Sequence, residues 1–234
     1  MSGKSNFLLD GLPAADLQLL TPHLRREELK HQQTLYDIGD PISTVYFPID
    51  MVVSLVIPLS TGEIIETAMV GRDGVVGASA ALNGKSSLNR AIVQLGGASL
   101  ACAVEPFREL MNEHASLRSP ISAHEQALFA QAQQSAACNA AHVIESRLSR
   151  WLLRAADLHG SDELPLTQEY IAQMLGVRRT SVTVVARTLQ AAGLIRYARG
   201  HIKLLDVAAL EESACECYSA VKTNYATLLH LPKF

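Results

Sequence analysis

Four residues of the sequence offer soft metal-ligand chemistry. Cys138 and His142 stand four apart in a stretch of helical pattern, so they share one helix face. Cys215 and Cys217 form a Cys-x-Cys pair further along the chain. Three thiolates and an imidazole make a tetrahedral set for zinc, and iron is the other candidate. The two pairs flank residues 146–212, so they meet only if the chain folds back across that segment. A bound metal would then tie the segment to the helix before it, and thiol oxidation would have the same reach. The bland alternative is that Cys138 packs in a seam, His142 is solvated and Cys215 and Cys217 are ordinary helix residues. Cys102 lies in a β-type run and reads as core.

The second chemical group is cationic. Within residues 166–195, Ile171, Ala172 and Leu175 form the inner face of a short helix capped by Thr167. Gly176 suits a tight turn that needs positive φ. A second helix, residues 178–191, turns Val182, Val185 and Leu189 inward, with Val177 just before it. Arg178, Arg179, Thr180, Thr183 and Arg187 remain on its outer face. Gly193 ends it, and a hairpin follows with Arg199, Gly200 and His201 near its tip. Helix, turn, helix and hairpin is a winged helix-turn-helix, whose second helix enters the major groove of DNA. Arg179 suits bidentate pairing to guanine, and Thr180 or Thr183 suits a thymine methyl or a phosphate. A solvated basic face on an ordinary three-helix domain is the alternative.

Those groups need a frame. The chain has 234 residues, 48% of them apolar, and a net charge of −3. Such a chain can bury a core, and it is not a globally basic nucleic-acid binder. The charge is segregated. Residues 140–205 hold nine Lys and Arg against five Asp and Glu, between two acidic segments. Short helical pieces are expected from residue 12 to 29. From about residue 35 to 104, short β-type runs alternate with turn signals, among them Asn83-Gly84, which predicts a sandwich, barrel or roll. From Phe107 nearly to Arg154 the pattern is helical. Eight of the twenty residues from 123 to 142 are alanine, and Ile121, Leu128, Ala132 and Ala136 mark an apolar stripe. A helix this long suggests packing against a second copy of the chain.

The expected fold class is therefore α+β. It comprises an N-terminal antiparallel β-roll (residues 1–115), a dimerisation helix (116–145), a winged helix-turn-helix (146–212) and a helical tail (213–234). Sparse cysteine, no apolar run near 18 residues and no signal-like pattern in residues 1–10 point to a cytoplasmic protein without membrane attachment. No nucleophile elbow, phosphate loop or metalloprotease motif speaks for an enzyme.

In its order of elements the sequence resembles the Crp/Fnr family of bacterial transcription factors. Tyr36-Asp-Ile-Gly39-Asp40 and Val45-Tyr46-Phe47 look like that family's opening β-roll pattern. Gly74-Val-Val-Gly77 sits at its cyclic-nucleotide cassette, and residues 146–153 look like the helix leading into its DNA-binding domain. The resemblance implies a homodimer, an effector domain, a palindromic double-stranded DNA site and RNA polymerase as a partner. It places an effector pocket around Gly74, Gly77, Asn89 and Arg90. The departures argue against cyclic AMP. Val75 replaces the cassette's glutamate, and the phosphate clamp reads Ser87-Leu-Asn89-Arg90-Ala91. Residues 1–101 lack cysteine, which argues against an N-terminal iron–sulfur sensor. Thr180 and Val184 stand where the best-known members carry Glu and Arg for base reading. The expected function is a DNA-binding regulator that senses or transmits a signal. The alternatives are a cyclic-nucleotide-type regulatory subunit and a metal- or thiol-sensing regulator.

Overall fold

A computed structural model describes residues 5–82 and 86–230; the turn read at Asn83-Gly84 and residues 231–234 of the tail lie outside these. Two short helices, α1 (Phe7–Asp10) and α2 (Ala14–Leu20), lead into seven strands. These are β1 (Arg25–Leu29), β2 (Thr34–Tyr36), β3 (Thr44–Pro48), β4 (Val52–Pro58), β5 (Ile64–Val70), β6 (Arg90–Leu95) and β7 (Gly97–Ala103). They form two antiparallel sheets, β1-β7-β3 and β2-β6-β4-β5. Then come α3 (Val104–Glu113), the long α4 (Ala115–Ala141) and α5 (Ile144–His159). The strand β8 (Glu163–Leu164), helices α6 (Gln168–Leu175) and α7 (Arg179–Ala191), and strands β9 (Ile195–Ala198) and β10 (His201–Leu204) follow. The last elements among the described residues are α8 (Val207–Ser213) and α9 (Cys217–Leu229).

The β-type runs read from sequence form β2 to β6. One strand differs from expectation, and another, read only at Cys102, extends back to Gly97. Residues 25–29 read as helical, yet Arg25–Leu29 pairs along β7 from Ala101 to Gly97. Arg, Glu and Leu are good helix formers, and the ladder overrides that weak preference. β7 itself is Gly- and Ala-rich, with little β propensity. It lies at the centre of its sheet, between β1 and β3, and Gly97 at its start comes so close to Asp50 that an added Cβ would stand 2.5 Å from Oδ1.

One sheet is covered on both faces. Val53 and Leu55 of β4 enter the core of the β-roll with Phe47, Phe107 and Ile121. Val52 and Val56 of the same strand, with Met69 and Ile92, join a second core with Trp151, Leu152, Tyr170 and Ile171. Continuous rather than alternating burial along β4 follows from this. The helix-turn-helix segment therefore shares its core with the outer face of the β-roll.

The tail beyond residue 213 is a packed element. α9 lies along α4 and buries Val221 and Tyr225 against Ala127. The buried face of α4 is Leu117, Ile121, His124, Ala127, Gln131, Ser135 and Cys138. Of the expected apolar stripe, Ile121 is buried, Leu128 and Ala132 are half-buried and Ala136 is exposed. Gln131, a polar member of the buried face, is fully engaged. Its amide donates to Met69 O and accepts from Met69 N, each at 3.0 Å, which satisfies the free edge of β5. Its Nε2 also lies 3.1 Å from Tyr225 Oη.

Candidate nucleic-acid interface

The interface is assembled by α6, α7 and the β9–β10 hairpin. Thr167 caps α6 by accepting from the Tyr170 N–H at 3.2 Å. Gly176 takes φ +62, and a Cβ there would meet Ile65 Cδ1 of β5 at 3.2 Å. The turn thus needs glycine for its backbone and for its close approach to the β-roll. Arg147 of α5 donates to the Leu175 carbonyl and holds the turn from behind. Val182, Ala186 and Leu189 of α7 are buried, while Val177 and Val185 are half-buried.

The outer face of α7 carries Arg178, Arg179, Thr180 and Arg187, all exposed. α7 begins at Arg179, with Arg178 as its N-cap residue. Cations at a helix N-terminus oppose the macrodipole, so an approaching phosphate gains from both side chains and unpaired N–H groups. Thr183 is half-buried, with Oγ1 2.6 Å from Gln168 Oε1 of α6. Arg179 Nε lies 3.8 Å from Glu169 Oε2, with both side chains largely in solvent. At the hairpin tip, Arg199 (φ +50) and Gly200 (φ +79) make a two-residue turn. Gly200 stands beside Thr167, 3.6 Å from an added Cβ to Cγ2. Thr167, Arg199, Gly200 and exposed His201 therefore sit at one end of α6.

The same face holds Val184, which the resemblance places at a base-reading position, and further residues outside the expected contact set. Val184 is 63% exposed, four residues after Thr180, an apolar side chain suited to a thymine methyl. A cleft of ≈ 390 Å³ between α7 and the wing also receives Gln168, Gln190 and Tyr197. The helical spacing of Val184 from Thr180 was the available signal; the cleft required the fold. Of the nine cations in the basic segment, two point inward. Arg154 pairs with Asp73 at 2.8 Å, with both side chains buried, and Arg147 holds Leu175.

A second site is a cavity of ≈ 370 Å³ between the β-roll and α4. Gly77 and Asn89 line it, together with Tyr36, Ser79, Glu125 and Phe129. Gly74 lies behind the wall, packed under His124, where an added Cβ would be 2.3 Å from Nε2. Arg90 turns away to Asp37, with Nη2 2.5 Å from Oδ2. That hydrogen bond holds the Asp37 carboxyl below its ordinary range. Among the described lining residues there is no Lys or Arg.

The third site is the Cys/His group. The ligand atoms of Cys138, His142, Cys215 and Cys217 all lie within 4.8 Å of one another, so they could hold a metal ion. Cys138 Sγ is 3.5 Å from Cys215 Sγ, and Cys217 Sγ is 3.5 Å from His142 Nδ1. Burial raises the Cys138 and Cys215 thiols, Cys215 to about 12. The three sulfurs are buried and His142 is half-buried. Cys102 stands apart in β7.

Comparison with known proteins agrees with this architecture. A family model described as the Crp-like helix-turn-helix domain matches residues 146–213. No curated protein matches the sequence. Among solved structures, the fold is similar to FixK2 from Bradyrhizobium japonicum, at 15% identity and TM-score 0.70, covering 82% of this chain and 98% of that one. It is similar to TTHB099, a CRP-family transcriptional regulator from Thermus thermophilus, at 24% identity and TM-score 0.65, covering 80% and 96%. It is also similar to CLP, the c-di-GMP responsive global regulator of Xanthomonas campestris, at 17% identity and TM-score 0.65, covering 83% and 100%. At these identities the likeness is one of fold. Among the described residues, no helix is long and apolar enough to cross a membrane. Residues 146–213 thus carry a Crp-like helix-turn-helix domain, behind an antiparallel β-roll and a long helix whose fold is similar to that of these regulators.

Proposed function

We propose that the chain acts as a homodimer that reads a palindromic double-stranded DNA site and couples that reading to a signal received by its β-roll. The observation that carries this is the outer face of α7, where Arg178, Arg179, Thr180, Val184 and Arg187 stand clear of the fold. Arg199 at the wing tip extends the same face toward phosphate. In this reading Arg178, Arg179, Thr180, Thr183 and Arg187 enter the major groove, and Thr167, Arg199, Gly200 and His201 meet the backbone. RNA polymerase is the further partner of the promoter-bound dimer.

The dimer contact falls on the free side of α4. Ser122, Gln126, Phe129, Gln133, Ala136 and Ala140 are exposed there at spacings of three and four. Phe129 is 65% exposed, a large apolar side chain that a second copy would cover. Phe129 also lines the cavity, so an occupant of that cavity would touch the dimer contact directly. Such an occupant shifts the balance between domain arrangements by binding one of them better. Cyclic AMP is a poor candidate, because the described lining offers Glu125 and no cation to its phosphate.

The test is a gel shift of the purified chain on genomic fragments, followed by footprinting of those retained. The expected footprint is a palindrome with half-sites about one helical turn apart. Failure to prefer any fragment over competitor DNA at physiological salt would remove the reading.

A further inference from the structure

We propose that Cys138, His142, Cys215 and Cys217 bind one zinc ion per chain, and that this ion locks the hinge between the long helix α4 and the DNA-binding domain. The cluster stands where the chain bends. α4 ends at Ala141, and α5 begins at Ile144. Between them, His142 (φ −104, ψ 146) and Val143 (φ −67, ψ 155) are extended. Cys138 is on the last turn of α4, and His142 is in the hinge itself. Cys215 and Cys217 come from the junction of α8 and α9, beyond the wing. One ion would thus fasten three separate places in the chain.

The distances suit the ion. A tetrahedron with zinc–sulfur bonds of about 2.3 Å and zinc–nitrogen bonds of about 2.0–2.1 Å has edges of roughly 3.8 Å between sulfurs and roughly 3.6 Å from sulfur to nitrogen. The Cys138–Cys215 and Cys217–His142 edges are both 3.5 Å. The whole set spans 4.8 Å, so small side-chain shifts close it.

Burial disfavours free thiolates here, so the sulfurs ionise on binding the cation, and polar groups around them would support the bound form. His142 presents Nδ1 to the sulfurs while its Nε2 lies 3.1 Å from Glu216 Oε1. A carboxylate on the far nitrogen fixes the ring and its tautomer, as it does around metal-bound histidine. The Gln134 amide donates to Cys217 Sγ at 3.0 Å. Binding releases three thiol protons and leaves a centre of net charge −1, from one dication and three thiolates. Arg147 and Arg150 lie close enough to act on those sulfurs, and the Nε of each is buried without a hydrogen-bond partner. Four protein ligands leave no open position, so the ion is a clasp rather than a catalytic centre. Three sulfurs with one imidazole in tetrahedral array favour zinc over cations that prefer oxygen.

The experiment uses the full chain, produced without an affinity tag and purified under reducing conditions with no chelator. Elemental analysis should find about one zinc per chain. Cys215→Ser and His142→Ala should each lose it, and Cys102→Ser should keep it. Hydrogen exchange of the hinge amides, including His142 N–H on Cys138 O at 3.0 Å, should be at least about tenfold faster after chelation. Reloading with cobalt should give the charge-transfer band of thiolate-bound metal without any substitution that risks the fold. Iron in place of zinc, no metal in the reduced chain, a Cys138–Cys215 disulfide occupying the thiols, or unchanged hinge exchange after zinc removal would each overturn the proposal.

Discussion

Trp151 of α5 donates its indole N–H to Glu66 Oε1 of β5 at 2.9 Å, with both side chains buried. The bond ties the helix leading into the DNA-binding domain to the outer sheet of the β-roll. Ser54 Oγ lies 2.5 Å from Glu66 Oε2 and 2.7 Å from Gln94 Oε1. A single hydroxyl proton cannot serve two acceptors, so the second bond needs either a protonated Glu66 or a Gln94 amide turned to present Nε2, which is otherwise buried without a partner. Glu66 Oε1 accepts from Trp151 in either protonation state; the proton decides whether a charge is buried between the two halves.

Burial pushes the Glu66 carboxyl up to about 7, against partial opposition from Ser54, Arg150, Trp151 and Arg154. A carboxyl raised on folding favours the folded state below its unfolded pKa. That contribution is lost as pH rises from about 4.5 through about 7. Urea unfolding of Glu66→Gln should lack this slope. At pH 8 the variant should exceed the parent by roughly 3 kcal/mol, the linkage value of such a shift. Equal slopes in the two proteins would show that Glu66 titrates normally.

Arg179→Ala should weaken binding to the footprinted site by about 1–3 kcal/mol and relax one base position. Arg199→Ala should weaken all sequences alike and lower the salt slope by about one unit, as expected for one lost phosphate contact. Unchanged affinity and preference in Arg179→Ala would remove α7 from the role of reading helix.

Isothermal titration with cyclic AMP and with cyclic GMP should show no binding tighter than about 1 mM, roughly −4 kcal/mol. The reason is local. The Arg90 guanidinium is held by Asp37, and Glu125 faces the cavity. Micromolar binding accompanied by a rise in DNA affinity would show that Arg90 leaves Asp37 for the phosphate.

Phe129→Glu should convert a dimer to a monomer in light-scattering chromatography. It places a charge at the centre of the exposed face of α4. Because Phe129 is mostly in solvent within one chain, the monomer should keep its thermal midpoint to within a few degrees, about the effect of a surface change. A variant that remains dimeric would move the contact elsewhere.

The helix-turn-helix was legible in the sequence because its information is local. Helical spacing sorted Val182 and Leu189 from Arg179 and Arg187, Thr167 announced a cap, and Gly176 announced a turn. β2 to β6 announced themselves by β-branched runs between turn residues. Local preference failed where distant packing set the outcome. Residues 25–29 became a strand because β7 offered a ladder, and β7, Gly- and Ala-rich, is held by pairing with both β1 and β3. The sequence placed Cys138 and His142 on one face and paired Cys215 with Cys217. Only the return of α9 along α4 brought the pairs within 4.8 Å of each other. Composition likewise counted nine cations in the basic segment, whereas the fold turned Arg147 and Arg154 inward. Periodicity determines which way a side chain faces on its own element. What that face meets is decided by the summed burial of the whole chain, to which residues far apart in sequence contribute together.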